Sequence, residues 1–265
     1  MVGSVSSLFS VATFNVNSLR ARLPLVLSWL EQNEPGVLCL QETKVRDEDF
    51  PLSDFTAAGW NVAFHGQKSY NGVAIISKLP IDEVSKGLGQ AELDEQARVI
   101  RARVAGISVV NAYVPQGSSR ASQKFQYKLK WLNGLQQVLD RNYEVDEPLV
   151  LCGDLNIAPS DDDVYDPHRL WGDPCFCREV QDVYHEMLDW GLVDIFRKHQ
   201  KSGGHYTYFD YRLRGALANG LGWRIDHILA TKCLSRRSKG ILIDLELRRA
   251  ERPSDHTVLL AKFAQ

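Results

Sequence analysis

The chain has 265 residues, of which 44% are hydrophobic and 24% are charged, close to the proportions of ordinary globular proteins. This composition argues against a disordered or collagen-like chain, and no apolar run approaches the roughly 18 residues that span a bilayer. The net charge of −2 excludes nucleic-acid binding by bulk charge alone, so any phosphate-binding surface must be local.

Predicted strands and helices alternate along the chain. Apolar runs predict about ten strands, at 11–16, 37–41, 62–65, 72–76, 99–113 with a turn at 105–106, 149–152, 223–230, 241–247 and 256–263. Apolar residues at helical spacing predict three helices, at 23–32 with Pro24 in the first turn, at 123–142 and at 179–190. Several strands are apolar throughout, which favours an α/β sandwich of two stacked sheets with helices outside.

The domain organisation is expected to be simple. No linker or repeat divides the sequence, so we predict one domain over residues 1–265, with residues 1–9 as a flexible N-terminal extension. Two long irregular stretches, 170–177 and 212–222, are predicted to be functional loops. The five cysteines are odd in number and do not form a disulfide framework, which indicates a reducing cytoplasm.

Polar residues of types that bind metals or catalyse reactions lie at the ends of the apolar strands. They form five clusters, around Asn15 and Asn17, Glu42 and Lys44, Asn111 and Tyr113, Asp154 and Asn156, and the pairs Asp226-His227 and Asp255-His256. Each cluster alone is weak evidence, since an Asn at a strand end commonly caps a turn. Together their oxygen atoms suit Mg²⁺ or Mn²⁺, whereas Cys and His pairs at zinc spacing are scarce. A hard divalent ion beside a histidine and carboxylates predicts hydrolysis of a phosphate ester.

The same clusters carry a resemblance to a known family. The motifs include Phe-Asn-Val-Asn-Ser-Leu-Arg at 14–20, Leu-Gln-Glu-Thr-Lys at 40–44, Gly-Asp-Leu-Asn-Ile-Ala-Pro at 153–159, Trp-Arg-Ile-Asp-His at 223–227 and Ser-Asp-His at 254–256. In this order they closely resemble the exonuclease III/AP endonuclease family of DNA repair enzymes, within the endonuclease/exonuclease/phosphatase superfamily. The resemblance covers nearly the whole chain and implies a four-layer α/β sandwich with two mostly antiparallel sheets.

The resemblance implies a Mg²⁺-dependent phosphodiesterase, with Mn²⁺ as a substitute, that acts on double-stranded DNA with abasic sites or damaged 3′ ends. Glu42 would be the main metal ligand, and the implied metal site comprises Asn15, Glu42, Asp154, Asn156, Asp255 and His256. The implied catalytic residues are Tyr113, Asp154, Asn156, Asp226 and His256. Asp154 would transfer the proton, Tyr113 and Asn156 would bind the phosphate, and Asp226 would orient the His256 imidazole.

The implied DNA-binding residues are Lys44, Arg120, Lys124, Tyr208, Arg212, Trp223, Arg224 and Ile225. Among them, Trp223, Tyr208 and Ile225 match the apolar wall that receives a flipped, base-free sugar in the family. Lys44 is also expected to steer the polar network around Glu42. Tyr208 replaces the usual Phe or Trp, and Tyr165 adds bulk, so the balance between abasic incision and 3′-end trimming stays open.

Two other functions remain as alternatives. A phosphatase or phosphodiesterase on inositol phosphates or sphingomyelin would need a basic headgroup pocket or an apolar membrane loop, and the sequence shows neither. An inactive DNA-binding module would have lost a catalytic residue, but all of them are present. We expect a monomer without a membrane partner, in the cytoplasm and associated with the nucleoid if the source is prokaryotic.

Overall fold

Residues 8–264, which the computed structural model describes, form twelve strands and eight helices. In chain order these are β1 (Leu8–Asn15), α1 (Leu19–Asn33), β2 (Val37–Gln41), α2 (Leu52–Ala57), β3 (Asn61–His65), β4 (Val73–Ser77), β5 (Ile81–Lys86), β6 (Val99–Val104), β7 (Ile107–Tyr113), α3 (Gln123–Asn142), β8 (Leu149–Asp154), α4 (Pro167–Leu170), α5 (Arg178–Trp190), β9 (Leu192–Asp194), α6 (Ile195–His199), β10 (Asp226–Thr231), α7 (Lys232–Ser235), β11 (Ser238–Asp244), α8 (Glu246–Arg249) and β12 (Val258–Ala264).

The strands form two six-stranded sheets with the same pattern of directions. The first sheet has the order β11-β12-β1-β2-β4-β3, and the second has the order β5-β6-β7-β8-β10-β9. Each sheet contains one parallel pair, β1 with β2 and β7 with β8, and all its other pairs are antiparallel. The prediction of two mostly antiparallel sheets is therefore confirmed.

Apolar side chains on alternating positions fill three layers of core. In β1, Val11 belongs to the core between the two sheets, whereas its neighbour Ala12 packs under α1. In β7, Val109 lies in the same central core, and Val110 packs under α3 and α5 on the outer face. Successive strand residues point to opposite faces, so strands that are apolar throughout are covered on both sides. The four-layer α/β sandwich is thus confirmed.

The topology gathers the ends of six central strands at one edge of the sandwich. The two parallel pairs are joined through α1 and α3, so their carboxyl ends lie at the same edge of each sheet. β10 runs antiparallel to β8 and begins there, with Asp226 opposite Asp154. β12 likewise begins beside the end of β1, where Leu259 is opposite Thr13. The polar residues at these strand ends consequently meet.

The helix boundaries agree with the prediction at α3 and differ at α1. The Ser122 side chain caps α3 by accepting a hydrogen bond from the Phe125 amide, and the helix then occupies 123–142 as predicted. α1 begins at Leu19 rather than at 23, because the amides of Ser18 and Leu19 donate to carbonyls of the segment after β2. Pro24 therefore lies inside the helix and not in its first turn, which corrects that prediction.

Other elements were not predicted or have different bounds. β5 is an edge strand with mostly exposed side chains, and β9 has only three residues, so neither produces an apolar run. β10 begins at Asp226 rather than at 223, because Trp223 forms isolated bridges with Val164 and Tyr208 instead of joining the sheet.

The predicted N-terminal extension, residues 1–9, overlaps the first strand. Residues 1–7 lie outside the described residues, whereas Leu8 and Phe9 belong to β1, where they pair with Ala264 and Phe263. The extension therefore does not reach residue 9. Within residues 8–264, none of the helices combines the length and apolar character needed to cross a bilayer.

Candidate active site

A cleft of about 380 Å³ opens at the edge where the strand ends meet. Most of the predicted catalytic residues line it, together with residues from three loops. The lining consists of Glu42, Tyr113, Gln116, Asp154, Asn156, Tyr165, Leu170, Asp173, Cys175, Tyr208, Asp210, Arg212, Leu213, Trp223, Ile225, Asp255 and His256. Residues that lie up to 214 positions apart in the sequence are thereby brought to one surface.

Asn15 links the carboxylates of the two sheets. Its Nδ2 donates to Glu42 Oε1 at 2.8 Å and to Asp154 Oδ2 at 2.9 Å. Asn15 ends β1 and Asp154 ends β8, so one buried amide holds acidic groups from both sheets on either side of it. A second buried amide also links the sheets, because Asn111 Nδ2 on β7 donates to the carbonyls of Leu40 and Ala74 in the first sheet.

Lys44 completes the network around Glu42. The Lys44 Nζ lies 2.8 Å from Glu42 Oε2 and 2.6 Å from Asn17 Oδ1, and Asn17 Nδ2 donates to Asp255 Oδ1 at 3.0 Å. Burial acts to raise the pKa of Glu42, but the hydrogen bonds from Lys44 and Asn15 outweigh it and hold that pKa below its usual range. Glu42 is therefore an anion at neutral pH.

His256 and Asp226 form a buried pair. His256 Nδ1 lies 2.8 Å from Asp226 Oδ2, and His256 Nε2 lies 3.8 Å from Asp154 Oδ2. Burial acts to lower the pKa of His256, but the Asp226 and Asp154 carboxylates outweigh it and raise that pKa to about 10. The imidazole is thus a cation that presents Nε2 to the cleft as a hydrogen-bond donor.

Asp154 has the opposite balance of forces. Burial raises the pKa of this carboxyl to about 7, with the His256 charge opposing the rise and the Asp226 charge adding to it. A carboxyl that titrates near neutral pH is suited to accept and return a proton. The Oδ1 atom of Asp154 accepts a hydrogen bond from the backbone amide of Asn156 at 3.0 Å, which fixes the plane of the carboxylate.

The donor set fits a hard divalent cation. Carboxylate oxygens of Asp154 and Asp226 lie within 4.8 Å of each other, and Glu42 adjoins Asp154 through Asn15. Asp226 Oδ1 is buried without a hydrogen-bond partner among the described residues, and a cation would neutralise the surplus of negative charge. Carboxylate and amide oxygens are the ligands that such cations prefer. The cleft therefore contains a candidate metal site.

Tyr113 and Asn156 supply neutral donors. Burial raises the pKa of the Tyr113 phenol, and the charges of Glu42 and Asp154 raise it further, so the hydroxyl keeps its proton. The Arg98 guanidinium lies 4.7 Å from the Tyr113 ring and orients it. Asn156 Nδ2 donates one hydrogen to the Val114 carbonyl at 3.0 Å, and the second hydrogen of that amide is left for a ligand.

Several of these residues have positive φ angles, which residues other than glycine rarely adopt. The φ angle is 44° at Asn17, 52° at Glu42, 53° at Lys44 and 50° at Asn156. Such angles persist only where the surrounding contacts enforce them, and they concentrate at functional sites. The position of Gly153 requires a glycine, because a Cβ there would collide with the Ala112 carbonyl oxygen.

The three residues of the predicted apolar wall line the same cleft as the polar residues. Trp223, Tyr208 and Ile225 line it together, and the Tyr208 ring lies 4.8 Å from the His256 ring. Tyr165 lines the same cleft and is half-buried, with its amide donating to the Gly222 carbonyl. The wall residues and the polar residues thus line a single pocket.

The structure contradicts the prediction for Arg224. This side chain is completely buried, and its Nε lies 2.6 Å from Asp163 Oδ1 while its Nη1 lies 3.0 Å from Asp194 Oδ2. Burial acts to lower the pKa of Arg224, but the two carboxylates outweigh it and raise that pKa above its usual range. Arg224 is therefore a buried ion-pair residue rather than a DNA contact. In extended backbone its side chain points away from those of Trp223 and Ile225.

The other predicted DNA-binding cations lie at the surface. Arg120 pairs with Glu179, Arg212 pairs with Asp210 at the rim of the cleft, and Lys124 is exposed beside the cleft. Ion pairs between exposed side chains are weak, so these cations can exchange their partners for phosphate. Lys44 differs, because it is engaged with Glu42.

Sequence reasoning missed part of the lining. Asp173 and Cys175 come from the first irregular loop, 170–177. Asp210 precedes the second irregular loop, 212–222, and Leu213 lies within it. Loop length alone marked these stretches as functional, but no motif identified the individual residues. Lys128 lies behind the cleft on α3, and the sequence indicated only that it belongs to a helix.

The chain is similar in sequence and structure to several known proteins. The sequence model of the endonuclease/exonuclease/phosphatase family matches residues 12–256. Exodeoxyribonuclease III of Haemophilus influenzae is 37% identical over 263 residues, covering 95% of this chain and 98% of that protein. An AP endonuclease from Archaeoglobus fulgidus has a TM-score of 0.94 and 45% identity, covering 96% of this chain and 99% of that one. The 3′ phosphatase NExo from Neisseria, solved with a product DNA hairpin, has a TM-score of 0.93 and 39% identity, covering 97% of this chain and 100% of that one.

Proposed function

The chain belongs to the endonuclease/exonuclease/phosphatase family, and on that premise we propose that it cleaves DNA 5′ to abasic sites and removes 3′-terminal nucleotides or 3′-blocking groups. It is a DNA hydrolase of the exonuclease III and AP endonuclease type, a DNA repair phosphodiesterase. The observation that carries the proposal is the junction of the Asp154, Asp226 and His256 cluster with the Trp223, Tyr208 and Ile225 wall in one cleft.

The proposed metal is Mg²⁺, with Mn²⁺ as a substitute. Glu42 is the principal ligand in this proposal, and Asn15, Asp154, Asn156 and Asp255 are the candidates for the remaining contacts. His256, which the resemblance also placed at the metal, binds the phosphate in this proposal, because a protonated imidazole has no free nitrogen for a metal. When bound, the ion would neutralise charge on the phosphoryl oxygens and favour ionisation of water. The low pKa of Glu42 supports its assignment, since the carboxylate is available without first losing a proton.

The proposed proton transfer depends on Asp154. Its pKa of about 7 allows the carboxylate to take a proton from the attacking water and to release it to the leaving oxygen. The cationic His256 then donates a hydrogen bond from Nε2 to a phosphate oxygen, while Asp226 holds Nδ1 and fixes the ring orientation. Tyr113 and Asn156 donate to the same phosphate as its charge develops.

The proposed DNA contacts divide into the wall and the rim. Trp223, Tyr208 and Ile225 would enclose a base-free sugar, whose extrusion costs least because no stacked base has to be removed. Arg120, Lys124 and Arg212 would contact backbone phosphates without reading sequence. We further propose that the chain acts as a monomeric single domain on double-stranded DNA, in the cytoplasm or nucleoid.

One experiment separates this proposal from its alternatives. Duplexes that carry either one abasic site or one 3′-phosphate are incubated with the protein, with and without EDTA, beside an inositol phosphate and sphingomyelin. We expect Mg²⁺-dependent cleavage of the DNA substrates alone, and its loss in Asp154→Asn. Hydrolysis of the inositol phosphate or sphingomyelin instead, or DNA binding without cleavage, would establish one of the other two functions.

A further inference from the structure

Lys128 is a buried cation behind the cleft that the proposed mechanism does not use. It lies in the second turn of α3 and has no exposed surface. Its Nζ donates to three backbone carbonyls, those of Asn156 at 2.7 Å, Pro174 at 2.8 Å and Gln116 at 3.2 Å. An ammonium group has three N–H donors, so three carbonyls satisfy it completely.

The three carbonyls belong to three separate loops that build the cleft. Gln116 follows β7, Asn156 follows β8, and Pro174 lies in the loop before α5. Gln116, Asn156 and Cys175 all line the cleft. One lysine on a rigid helix therefore sets the relative positions of three loops whose own sequences contain little regular structure.

The contacts converge on Asn156. Its backbone carbonyl binds Lys128, its side-chain Oδ1 accepts from the Cys175 thiol at 3.5 Å, and the Cys175 sulfur lies 3.8 Å from the Lys128 Nζ. With Oδ1 held by Cys175 and Nδ2 held by Val114, the amide has one orientation.

We propose that Lys128 is a positioning residue that fixes the Asn156 side chain for phosphate binding, through the Asn156 carbonyl and through Cys175. This inference rests on the proposed function. The charge-assisted hydrogen bond from Lys128 holds the Asn156 carbonyl in a loop where Asn156 has a φ angle of 50°. A displaced amide binds the reacting phosphate poorly, whereas the proposed DNA contacts Lys124 and Arg212 lie outside the three loops that Lys128 holds.

The test compares Lys128→Met with Leu135→Ala, a variant of a buried core residue on the same helix that makes none of the hydrogen bonds described for Lys128. Steady-state kinetics are measured on an abasic duplex at temperatures where circular dichroism shows each protein folded. We expect kcat to fall roughly 10- to 100-fold in Lys128→Met with KM nearly unchanged. Leu135→Ala leaves a cavity and lowers Tm, but its kcat stays at the wild-type value.

A double-variant comparison isolates the route through Asn156. Adding Lys128→Met to Asn156→Ala should reduce kcat no further than about twofold, since the positioned group is already absent. Cys175→Ala provides a second test if Lys128→Met fails to fold, with a smaller loss of kcat that also vanishes in the Asn156→Ala background. Wild-type kcat in Lys128→Met, or in Cys175→Ala when the first variant does not fold, overturns the inference, as does full multiplication of the losses. A wild-type protein that cleaves no DNA overturns the proposed function instead.

Discussion

The His256 imidazole is held by Asp226 across the boundary between the two sheets. Its Nδ1 lies 2.8 Å from Asp226 Oδ2, where Asp226 begins β10 of the second sheet and His256 precedes β12 of the first. The topology makes this contact possible because both strands begin at the same edge of the sandwich. Asp226 therefore determines that Nε2, and not Nδ1, is the imidazole nitrogen presented to the cleft.

Single substitutions in this pair should reduce turnover much more than DNA binding. We expect His256→Ala to lower kcat by roughly 10²- to 10⁴-fold, and Asp226→Ala to cause a loss of similar kind through the misoriented ring. Because the two residues act as one unit, the double variant should be within about threefold of His256→Ala. Rates and DNA affinities of the three variants are measured together, and multiplication of the two single losses would argue against a dyad.

Loss of Glu42 should impair metal-dependent activity. Glu42→Ala removes a carboxylate whose low pKa makes it an anion at neutral pH, and a contribution of about 3 kcal/mol to catalysis corresponds to a rate loss on the order of 10²-fold. The protein is stripped with EDTA, and cleavage is followed as Mg²⁺ is returned. Restoration should be weak in Glu42→Ala and complete in Glu48→Ala, which alters an exposed glutamate that pairs with Arg46. A fully active Glu42→Ala enzyme would remove this residue from the metal site.

The buried ion pair of Asp163 and Arg224 should make stability depend on acid pH. Burial acts to raise the pKa of Asp163, but Arg224 outweighs it and lowers that pKa below its usual range. Its contribution to stability is therefore complete above the unfolded-state pKa of about 3.9 and is lost as the pH falls through the lower folded-state value. Asp163→Asn leaves the buried Arg224 incompletely paired, which costs about 3–5 kcal/mol at pH 7.

Urea unfolding of wild type and Asp163→Asn from pH 7 to about 3 measures this linkage. The difference in free energy of unfolding should be constant down to about pH 4 and should narrow below it. Asp182→Asn is the control, since Asp182 pairs with Arg178 on the exposed face of α5, and it should change stability little. A difference that stays constant down to pH 3 would show that Asp163 is not the titrating group.

Much of the fold could be predicted from the sequence because the information is local. The runs that form β2, β4 and β8 are buried at every position and apolar up to their last one or two residues, which is the pattern of a strand covered on both faces. Motif residues follow β2 and β8, so the meeting of Glu42 and Asn156 in one cleft could also be predicted. The position of α3 followed from its apolar spacing and from Ser122 as its cap.

The remaining features depend on contacts that no local pattern records. The Lys128 Nζ binds carbonyls of residues up to 46 positions away, and backbone carbonyls are the same in every residue. The beginning of α1 depends on hydrogen bonds to the segment after β2. The burial of Arg224 was within reach of the sequence, because alternation along the extended segment directs it away from the side of Trp223 and Ile225. Its partner Asp163 is 61 residues distant and gave no such signal.

Tyr165 is expected to set the balance between abasic incision and 3′-end trimming. Its half-buried side chain lines the same cleft of about 380 Å³ as Trp223 and Tyr208. An internal abasic nucleotide must be flipped whole out of the duplex to enter this cleft, whereas a frayed 3′ terminus enters without full extrusion. Bulk at Tyr165 should therefore hinder the first substrate more than the second, and Tyr165→Gly should raise abasic incision relative to 3′-end trimming by roughly tenfold.

The two rates are measured on matched duplexes that differ only in carrying an internal abasic site or a 3′-phosphate. Tyr165→Phe is the matched control, because it keeps the ring and removes only the hydroxyl, and its ratio of rates should equal that of wild type. A shift in Tyr165→Phe as large as in Tyr165→Gly would assign the effect to the hydroxyl instead of the bulk. An unchanged ratio in Tyr165→Gly would remove Tyr165 from the account of specificity, while the residues that bind metal and transfer the proton would keep their proposed roles.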